Sequence, residues 1–185
     1  MWICIYGAGA IGAYVGAELA RVPDADISLI ARGPHLEAMQ KNGVKLLIEG
    51  EEGISHPTAT NDPTELGPQD YVIVALKSPQ AWEAAENMAP LLGPNTAVVT
   101  CQNGMPWWYF YGLDSQYRDL RLASVDPGGR QWKAIGPEHA IGCVVFPATE
   151  VVEPGVIKHT YGNKVALGEP SGEETDRVMR LSEVM

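Results

Sequence analysis

The sequence is short of positive charge. It holds 13 Lys and Arg residues against 23 Asp and Glu residues, which gives a formal net charge of -10 at pH 7. Nucleic acids and anionic membrane surfaces attract clustered cations, so neither is expected as a partner. An anionic small molecule is not excluded, because a few backbone N–H groups and one or two well-placed cations are enough to bind it.

Metal-ligating and redox residues are also scarce. The three cysteines lie in separate apolar stretches without a Cys-x-x-Cys pair: Cys4, Cys101 and Cys143. The four histidines are scattered and none has metal-ligand spacing: His35, His56, His139 and His159. We therefore expect buried, reduced thiols and no metal site.

Long hydrophobic runs and targeting segments are absent as well. No apolar stretch in the sequence approaches the roughly 20 residues of a membrane span. The chain enters an apolar run at residues 2–6 without the basic lead-in and cleavage site of a signal peptide. These features predict a cytoplasmic protein that has no membrane partner.

Short apolar runs instead alternate with segments of helical spacing. The runs predict buried parallel strands at residues 2–6, 27–31, 71–76 and 97–101. The helical segments are residues 10–21, 36–41 and 80–92. This alternation predicts an α/β fold with a doubly wound, mostly parallel sheet of the Rossmann type.

Two further stretches predict additions to that sheet. Residues 44–48, which precede two glycines, indicate a hairpin or short strands near one edge of the sheet. Residues 140–168 contain turn signals at Pro154-Gly155 and Gly162-Asn163. They favour antiparallel strands at the C-terminal end of the domain.

The first strand ends at Gly7-Ala8-Gly9-Ala10-Ile11-Gly12, a G-x-G-x-x-G string that opens the first helix. In this context the first glycine permits a tight turn, the second lets the backbone approach a pyrophosphate, and the third allows the helix to pack closely. The N–H groups at the start of the helix favour phosphate. We interpret the string as a dinucleotide-binding turn rather than a purely structural one.

The end of the second strand distinguishes between cofactors. NAD-binding domains place an acidic residue about 20 positions after the glycines, whereas this sequence has Ala31-Arg32-Gly33. An arginine there can pair with the 2′-phosphate of NADP. We favour this role over that of a solvated strand-end cation, and predict NADP (NADPH) as the cofactor.

Polar residues also follow the third and fourth parallel strands, where ligands bind in open α/β sheets. Lys77 could place a positive charge beside a substrate oxyanion or carboxylate, and Asn103 could orient a nicotinamide ribose or a substrate hydroxyl. A surface lysine and an ordinary Asn103-Gly104 turn explain the same residues equally well. The sequence leaves both explanations open.

In this order, the strings GAGAIG, ARG, ALKSPQ and QNGM resemble the ketopantoate reductase family, as does the later stretch EVVEPGVIKHTYGNKVALGEP. Members of that family reduce 2-dehydropantoate, a small 2-oxo acid, with NADPH in pantothenate biosynthesis. The resemblance implies that the glycine string cradles the pyrophosphate and that Arg32 takes the 2′-phosphate. It also implies that Asn103 lies near the nicotinamide and substrate, in a cleft lined by Leu76, Lys77 and Gln80.

The family pattern also includes a helical C-terminal domain that supplies a general-acid lysine, and this sequence carries no such region. We expect a nucleotide-binding domain at residues 1–168 and the start of a linker helix at residues 169–185. Ser171 and Glu174 have capping-box spacing, and an apolar stripe follows them. Because this stripe and the aromatic patch at residues 107–111 have no evident cover, we expect self-association into a homo-oligomer. Alone, the chain is expected to bind NADPH but to turn over slowly or not at all.

The aromatic run at residues 107–111 has two explanations. Five adjacent aromatic residues cannot all face one side of a helix or strand. Some of them therefore either pack under a long loop or line an interface or substrate pocket. The run leaves two alternatives to ketopantoate reduction, namely a non-enzymatic NADP-binding redox sensor and a reductase of another 2-oxo acid.

Overall fold

The computed structural model describes residues 1–185, which form eleven strands and five α-helices. The strands are β1 (Trp2–Tyr6), β2 (Asp26–Ile30), β3 (Val44–Ile48), β4 (Glu51–Ser55), β5 (Thr58–Thr60), β6 (Tyr71–Val74), β7 (Ala97–Cys101), β8 (Ala140–Val145), β9 (Ala148–Glu153), β10 (Val156–Tyr161) and β11 (Val165–Gly168). The helices are α1 (Ala10–Leu19), α2 (Gly33–Asn42), α3 (Ser78–Ala84), α4 (Arg130–Ala134) and α5 (Asp176–Ser182). None of these helices combines the length and the apolarity that a membrane crossing requires.

Seven strands form the central sheet in the order β11-β8-β7-β6-β1-β2-β5. Every neighbouring pair is parallel except β11 with β8, which is antiparallel. The chain runs outward from β1 to β5 and then returns to the other side of β1 at β6. This topology confirms the predicted α/β class, and it places the switch point of the sheet between β1 and β6.

The central strands are apolar throughout because both faces of the sheet are covered. Successive side chains of a strand point to opposite faces. Ile3 and Ile5 of β1 therefore join one buried cluster, which includes side chains of α1, whereas Cys4 joins a second cluster on the opposite face. The second cluster contains Ala81 of α3. A strand covered in this way needs an almost unbroken apolar sequence.

A second, four-stranded sheet has the order β4-β3-β10-β9. The predicted hairpin is present as β3 and β4, but its predicted position at an edge of the central sheet is wrong. The antiparallel strands expected at the C-terminal end are present and are divided between the two sheets. β11 pairs with β8 in the central sheet, and β10 pairs with β9 in the second sheet, whereas β8 itself is parallel to β7.

Helix α1 explains why a second sheet is needed. Seven of its ten residues are buried: Gly12, Ala13, Tyr14, Val15, Gly16, Ala17 and Leu19. A helix that is apolar on nearly every side must be covered on nearly every side. The central sheet covers one side of α1, and the second sheet covers the other, where Ser55 donates a 2.8 Å hydrogen bond to the Ala17 carbonyl.

Two helix boundaries differ from the prediction. The helix expected at residues 80–92 is α3 followed by a 3-10 helix (Ala85–Leu91) that contains Pro90, and a proline inside a helix removes a backbone donor. The predicted capping box is also wrong. Helix α5 begins after Thr175, and Ser171 makes its hydrogen bond with Glu173 instead.

The apolar stripe of α5 is covered, contrary to expectation. Val178 is 7% exposed and Leu181 is fully buried, and both belong to the same cluster as α1. Tyr71 of β6 donates a 2.8 Å hydrogen bond to the Arg177 carbonyl. The helix therefore packs on the central sheet, and its stripe gives no reason for self-association.

An ion pair fastens α5 to the sheet. The Arg177 guanidinium bonds both Glu169 carboxylate oxygens, at 2.7 and 2.6 Å, and the Glu169 side chain is only 5% exposed. Thr175 donates a further hydrogen bond to the carboxylate. Burial alone raises the pKa of Glu169, but the hydrogen bonds from Arg177 and Thr175 outweigh it, so that the pKa lies below its ordinary value.

Replacing Arg177 by Met should lower the free energy of unfolding by about 2–3 kcal/mol at pH 7, because it leaves the buried Glu169 carboxylate without its cationic partner. Urea unfolding monitored by circular dichroism measures this. Arg180→Met is the matched control, since Arg180 is exposed on the same helix and makes no salt bridge.

The difference between wild type and Arg177→Met should also depend on pH. A carboxyl group whose pKa is depressed by folding stabilises the fold above its unfolded pKa, and loses that contribution as pH falls through its folded pKa. The difference should therefore be full at neutral pH and shrink below about pH 4.5, the ordinary value for Glu. A difference that stays constant down to pH 3 would contradict the assigned role of Glu169.

Candidate nucleotide-binding site

A cavity of about 950 Å³ opens at the carboxyl ends of the parallel strands, at the switch point between β1 and β6. This volume lies within the usual range of small-molecule sites. The turns after β1, β2, β6 and β7 form its walls. In an open α/β sheet this is where the topology leaves a crevice for a ligand.

The glycine turn after β1 forms the floor of the cavity, and each of its glycines has a different steric reason. Gly7 has φ +103°, and a Cβ on it would lie 2.5 Å from Leu76 Cδ2. A Cβ on Gly12 would collide with the Gly7 carbonyl oxygen. A Cβ on Gly9 would have no atom within 4 Å, so it would project into free space. Gly7 and Gly12 are therefore required by the fold, whereas Gly9 keeps the cavity open.

Helix α1 begins at this turn with Gly9 as its N-cap, which makes no side-chain capping bond, and its first turn holds no acidic residue. The first N–H groups of a helix have no partners inside it, and they carry the positive end of the helix dipole. Since no side chain of this chain caps them, they remain available to a phosphate.

Arg32 follows β2 and forms the N-cap of α2 at the rim of the cavity. Its side chain is exposed and makes no salt bridge. Glu83 is the only acidic residue that lines the cavity, against the two cations Arg32 and Lys77. The site is therefore locally suited to an anion in a chain of net charge -10.

Lys77 and Gln80 lie at the start of α3, on the opposite wall, and both are exposed. The Lys77 carbonyl accepts the Gln80 N–H at 2.8 Å, which fixes the local turn. Gln102, after β7, donates a 2.5 Å hydrogen bond to the Leu76 carbonyl. The Asn103 amide donates to the Val145 carbonyl at 3.3 Å. These bonds hold the ends of β6, β7 and β8 together around the cavity.

Two titratable side chains at the cavity stay in their neutral forms. Burial raises the pKa of Tyr6, the Cys4 thiol adds to this, and Arg32 opposes it. Burial lowers the pKa of His35, against an opposing contribution from the Ala8 backbone. At neutral pH both rings are therefore uncharged, and the charge of the site comes from the lysine, the arginine and one glutamate.

Nearly all residues predicted for the site line this one cavity: Gly7, Ala8, Gly9, Ala10, Ile11, Arg32, Leu76, Lys77, Gln80 and Asn103. Gly12 does not line the cavity, because Gly12 lies beneath the turn, close to the Gly7 carbonyl oxygen. Location alone does not assign binding roles, so these roles stay predictions. No three His, Cys, Asp or Glu side chains gather as a metal site.

Several cavity residues were missed by the sequence analysis. Glu83 and Asn87 follow Gln80 at intervals of three and four, which places them on one helical face, and this spacing was a usable signal. Asn61 follows β5 and Gln102 follows β7, so the strand-end rule also applies to them. His35 had no such signal.

The aromatic run is divided between the core and the surface. Trp107 is 5% exposed and meets Trp132 edge to face, and Trp108 donates a 3.2 Å hydrogen bond to Thr100. Tyr111 also packs against Trp132, whereas Tyr109 is about half exposed. None of the five lines the cavity. Core packing therefore explains Trp107 and in part Trp108, whereas lining of this pocket explains none of the five.

The fold and the glycine-turn cavity together define a Rossmann-type α/β domain. Comparison with known families is more specific, because the pattern of the ketopantoate reductase PanE/ApbA family matches residues 3–172. The chain belongs to the ketopantoate reductase family. This confirms the resemblance seen in the sequence motifs.

Individual relatives agree with this assignment. A 2-dehydropantoate 2-reductase of Mesorhizobium japonicum is 51% identical over 185 residues, which are 100% of this chain and 57% of that protein. A candidate ketopantoate reductase of Ralstonia solanacearum superposes with a TM-score of 0.92 at 42% identity, over 98% of this chain and 56% of that one. The 2-dehydropantoate 2-reductase of Geobacter metallireducens superposes with a TM-score of 0.79 at 29% identity, over 100% of this chain and 54% of that one. The chain spans little more than half the length of these relatives.

The turn geometry predicts that one glycine substitution affects binding and another affects stability. Gly9→Ala should leave the free energy of unfolding within about 0.5 kcal/mol of wild type, but weaken dinucleotide binding about tenfold or more by filling the phosphate approach. Gly12→Ala should lower the free energy of unfolding by about 1–3 kcal/mol, because its Cβ overpacks the turn. Thermal unfolding and nucleotide titration of both variants measure this, and equal destabilisation of the two would contradict the assignment.

Proposed function

We propose that this chain is the NADPH-binding part of a 2-dehydropantoate 2-reductase. The observation that carries the proposal is the unpaired Arg32 at the rim of a cavity whose floor is the glycine turn. The turn and the start of α1 suit a pyrophosphate, and the guanidinium suits a 2′-phosphate. β2 is followed by Ala31, Arg32 and Gly33, and not by an acidic residue that would bind the two free ribose hydroxyls of NAD.

The cavity fits a dinucleotide on structural grounds. A Cβ at Gly9 would fill space that no protein atom uses, which is the space expected for a phosphate. Gly7, Gly9 and the N–H groups of α1 would hold the pyrophosphate, with Arg32 at the adenosine end. Leu76, Lys77 and Gln80 would line the opposite wall, and Asn103 would lie near the nicotinamide. When bound, NADPH supplies a hydride to a ketone carbon.

We propose a 2-oxo acid as the substrate, in particular 2-dehydropantoate, because the relative at 51% identity bears that name. The exposed Lys77 ammonium and the Asn103 amide, both at the cavity, would interact with a substrate carboxylate or oxyanion. The complete reaction, in pantothenate biosynthesis, is proposed for a protein of the relatives' length. This chain's own contribution is nucleotide binding.

The division into a nucleotide-binding domain at residues 1–168 and a linking segment at residues 169–185 is part of the same proposal. A cytoplasmic location is supported by three buried cysteines that are free thiols. Self-association is supported by exposed apolar side chains, among them Tyr109 and Tyr117 in the loop after β7 and Tyr161 at the end of β10. The redox-sensor alternative has less support, because the matching family is one of reductases and Trp107 of the aromatic run is buried in the core.

The cofactor proposal predicts that the chain binds NADPH more tightly than NADH and that Arg32→Ala removes the preference. Loss of one charge-assisted phosphate contact should weaken NADPH binding about tenfold or more and leave NADH binding nearly unchanged. Titration followed by nicotinamide fluorescence measures both affinities. Arg130→Ala, at an exposed arginine outside the cavity, is the matched control. Equal affinities of the wild type for both nucleotides would contradict the proposal.

The substrate proposal predicts slow or undetectable turnover by the chain alone. With NADPH and 2-dehydropantoate, the oxidation of NADPH at 340 nm should be far slower than with the full-length relative from Mesorhizobium japonicum, run as the positive control. Rapid pantoate formation by the chain alone would contradict the proposal that this chain contributes nucleotide binding and not the complete reaction.

A further inference from the structure

His35 lies where three parts of the chain meet. It is in the first turn of α2, lines the cavity beside the glycine turn, and contacts the Pro154-Gly155 turn of the second sheet. The ring is half-buried. None of the roles discussed above uses this side chain.

The protonation of the His35 ring is set by one contact. The Gly155 N–H donates a 2.9 Å hydrogen bond to His35 Nδ1. A backbone N–H can only donate, so Nδ1 must be the unprotonated acceptor. In the neutral ring the proton is therefore on Nε2.

The Nε2–H has no hydrogen-bond partner of ordinary geometry although the atom is buried. Buried polar groups nearly always have a partner, so this one needs an explanation. Ala8 of the glycine turn lines the same cavity as His35, and its backbone partly opposes the lowering of the His35 pKa that burial causes. Since Nε2 is buried, the ring is not placed to bind a nucleotide directly.

We propose that His35 is a positioning residue for the glycine turn. Its neutral ring, held by the Gly155 amide, presents Nε2–H to the Ala8 backbone and supports the turn in the conformation that receives a pyrophosphate. This role rests on the proposed function, because it concerns the affinity of the same site for its nucleotide. It makes the β9–β10 turn a contributor to binding although that turn does not line the cavity.

The Gly155 amide is itself firmly held, as such a support requires. Gly155 has φ +78°, and a Cβ on it would lie 3.1 Å from the Ala38 Cβ of α2. Its carbonyl accepts the Lys45 N–H at 2.9 Å. The second sheet and α2 therefore hold the donor from two sides.

Three substitutions of His35 test the two ring nitrogens separately. A Gln side chain places its amide near the position of Nε2, an Asn side chain places its amide near Nδ1, and Leu has neither group. In His35→Asn and His35→Leu, binding of NADPH and of NADH should each weaken about fivefold, the equivalent of one hydrogen bond. His35→Gln should restore most of the affinity, and the preference for NADPH should be unchanged in all three variants.

Amide hydrogen exchange without nucleotide gives an independent readout. The Gly9 N–H, which bonds the Gly7 carbonyl at 2.9 Å, should exchange faster in His35→Asn and His35→Leu than in the wild type or His35→Gln. If the wild type binds neither nucleotide, the proposed function fails, and the exchange rates still decide the positioning role.

Three results would overturn the positioning role. One is unchanged exchange of the Gly9 N–H in every variant. A second is wild-type affinity in His35→Asn together with weak binding in His35→Gln, since only the Gly155 contact would then matter. A third is weaker binding of NADPH alone, which would mean that the ring contacts the 2′-phosphate.

Discussion

The close contact between Gly12 and the Gly7 carbonyl is the constraint on which the rest of the structure depends. No Cβ fits there, so the first turn of α1 comes directly against the end of β1. This brings the unpaired N–H groups of the helix to the switch point of the sheet, where the turns after four strands open a cavity. A site for anions thus arises in an acidic chain mainly from backbone geometry, and only two side-chain cations add to it.

The same constraint explains the architecture around the helix. Pressed against the sheet, α1 is built from small and apolar residues and needs cover on its outer side as well. The second sheet supplies that cover, and its β9–β10 turn then reaches α2 and the His35 ring. The packing that stabilises the helix and the contact between the β9–β10 turn and His35 are therefore parts of one assembly.

Local patterns were sufficient to predict the central strands, the glycine turn and the position of Arg32 at the end of β2, because each depends on residues that are close in sequence. The second sheet was not predictable in this way, since β3 pairs with β10 from the other end of the chain. The role of His35 also depends on a partner 120 residues away. The cover on Leu181 and the burial of Trp107 are likewise set by tertiary contacts, which the spacing of apolar residues does not reveal.

A crystal structure of this chain with NADPH tests the central claim most directly. The account predicts the pyrophosphate against Gly9 and the start of α1, with the 2′-phosphate within hydrogen-bonding distance of the Arg32 guanidinium. A nucleotide bound elsewhere, or bound in the cavity with its 2′-phosphate turned away from Arg32 into solvent, would contradict the account.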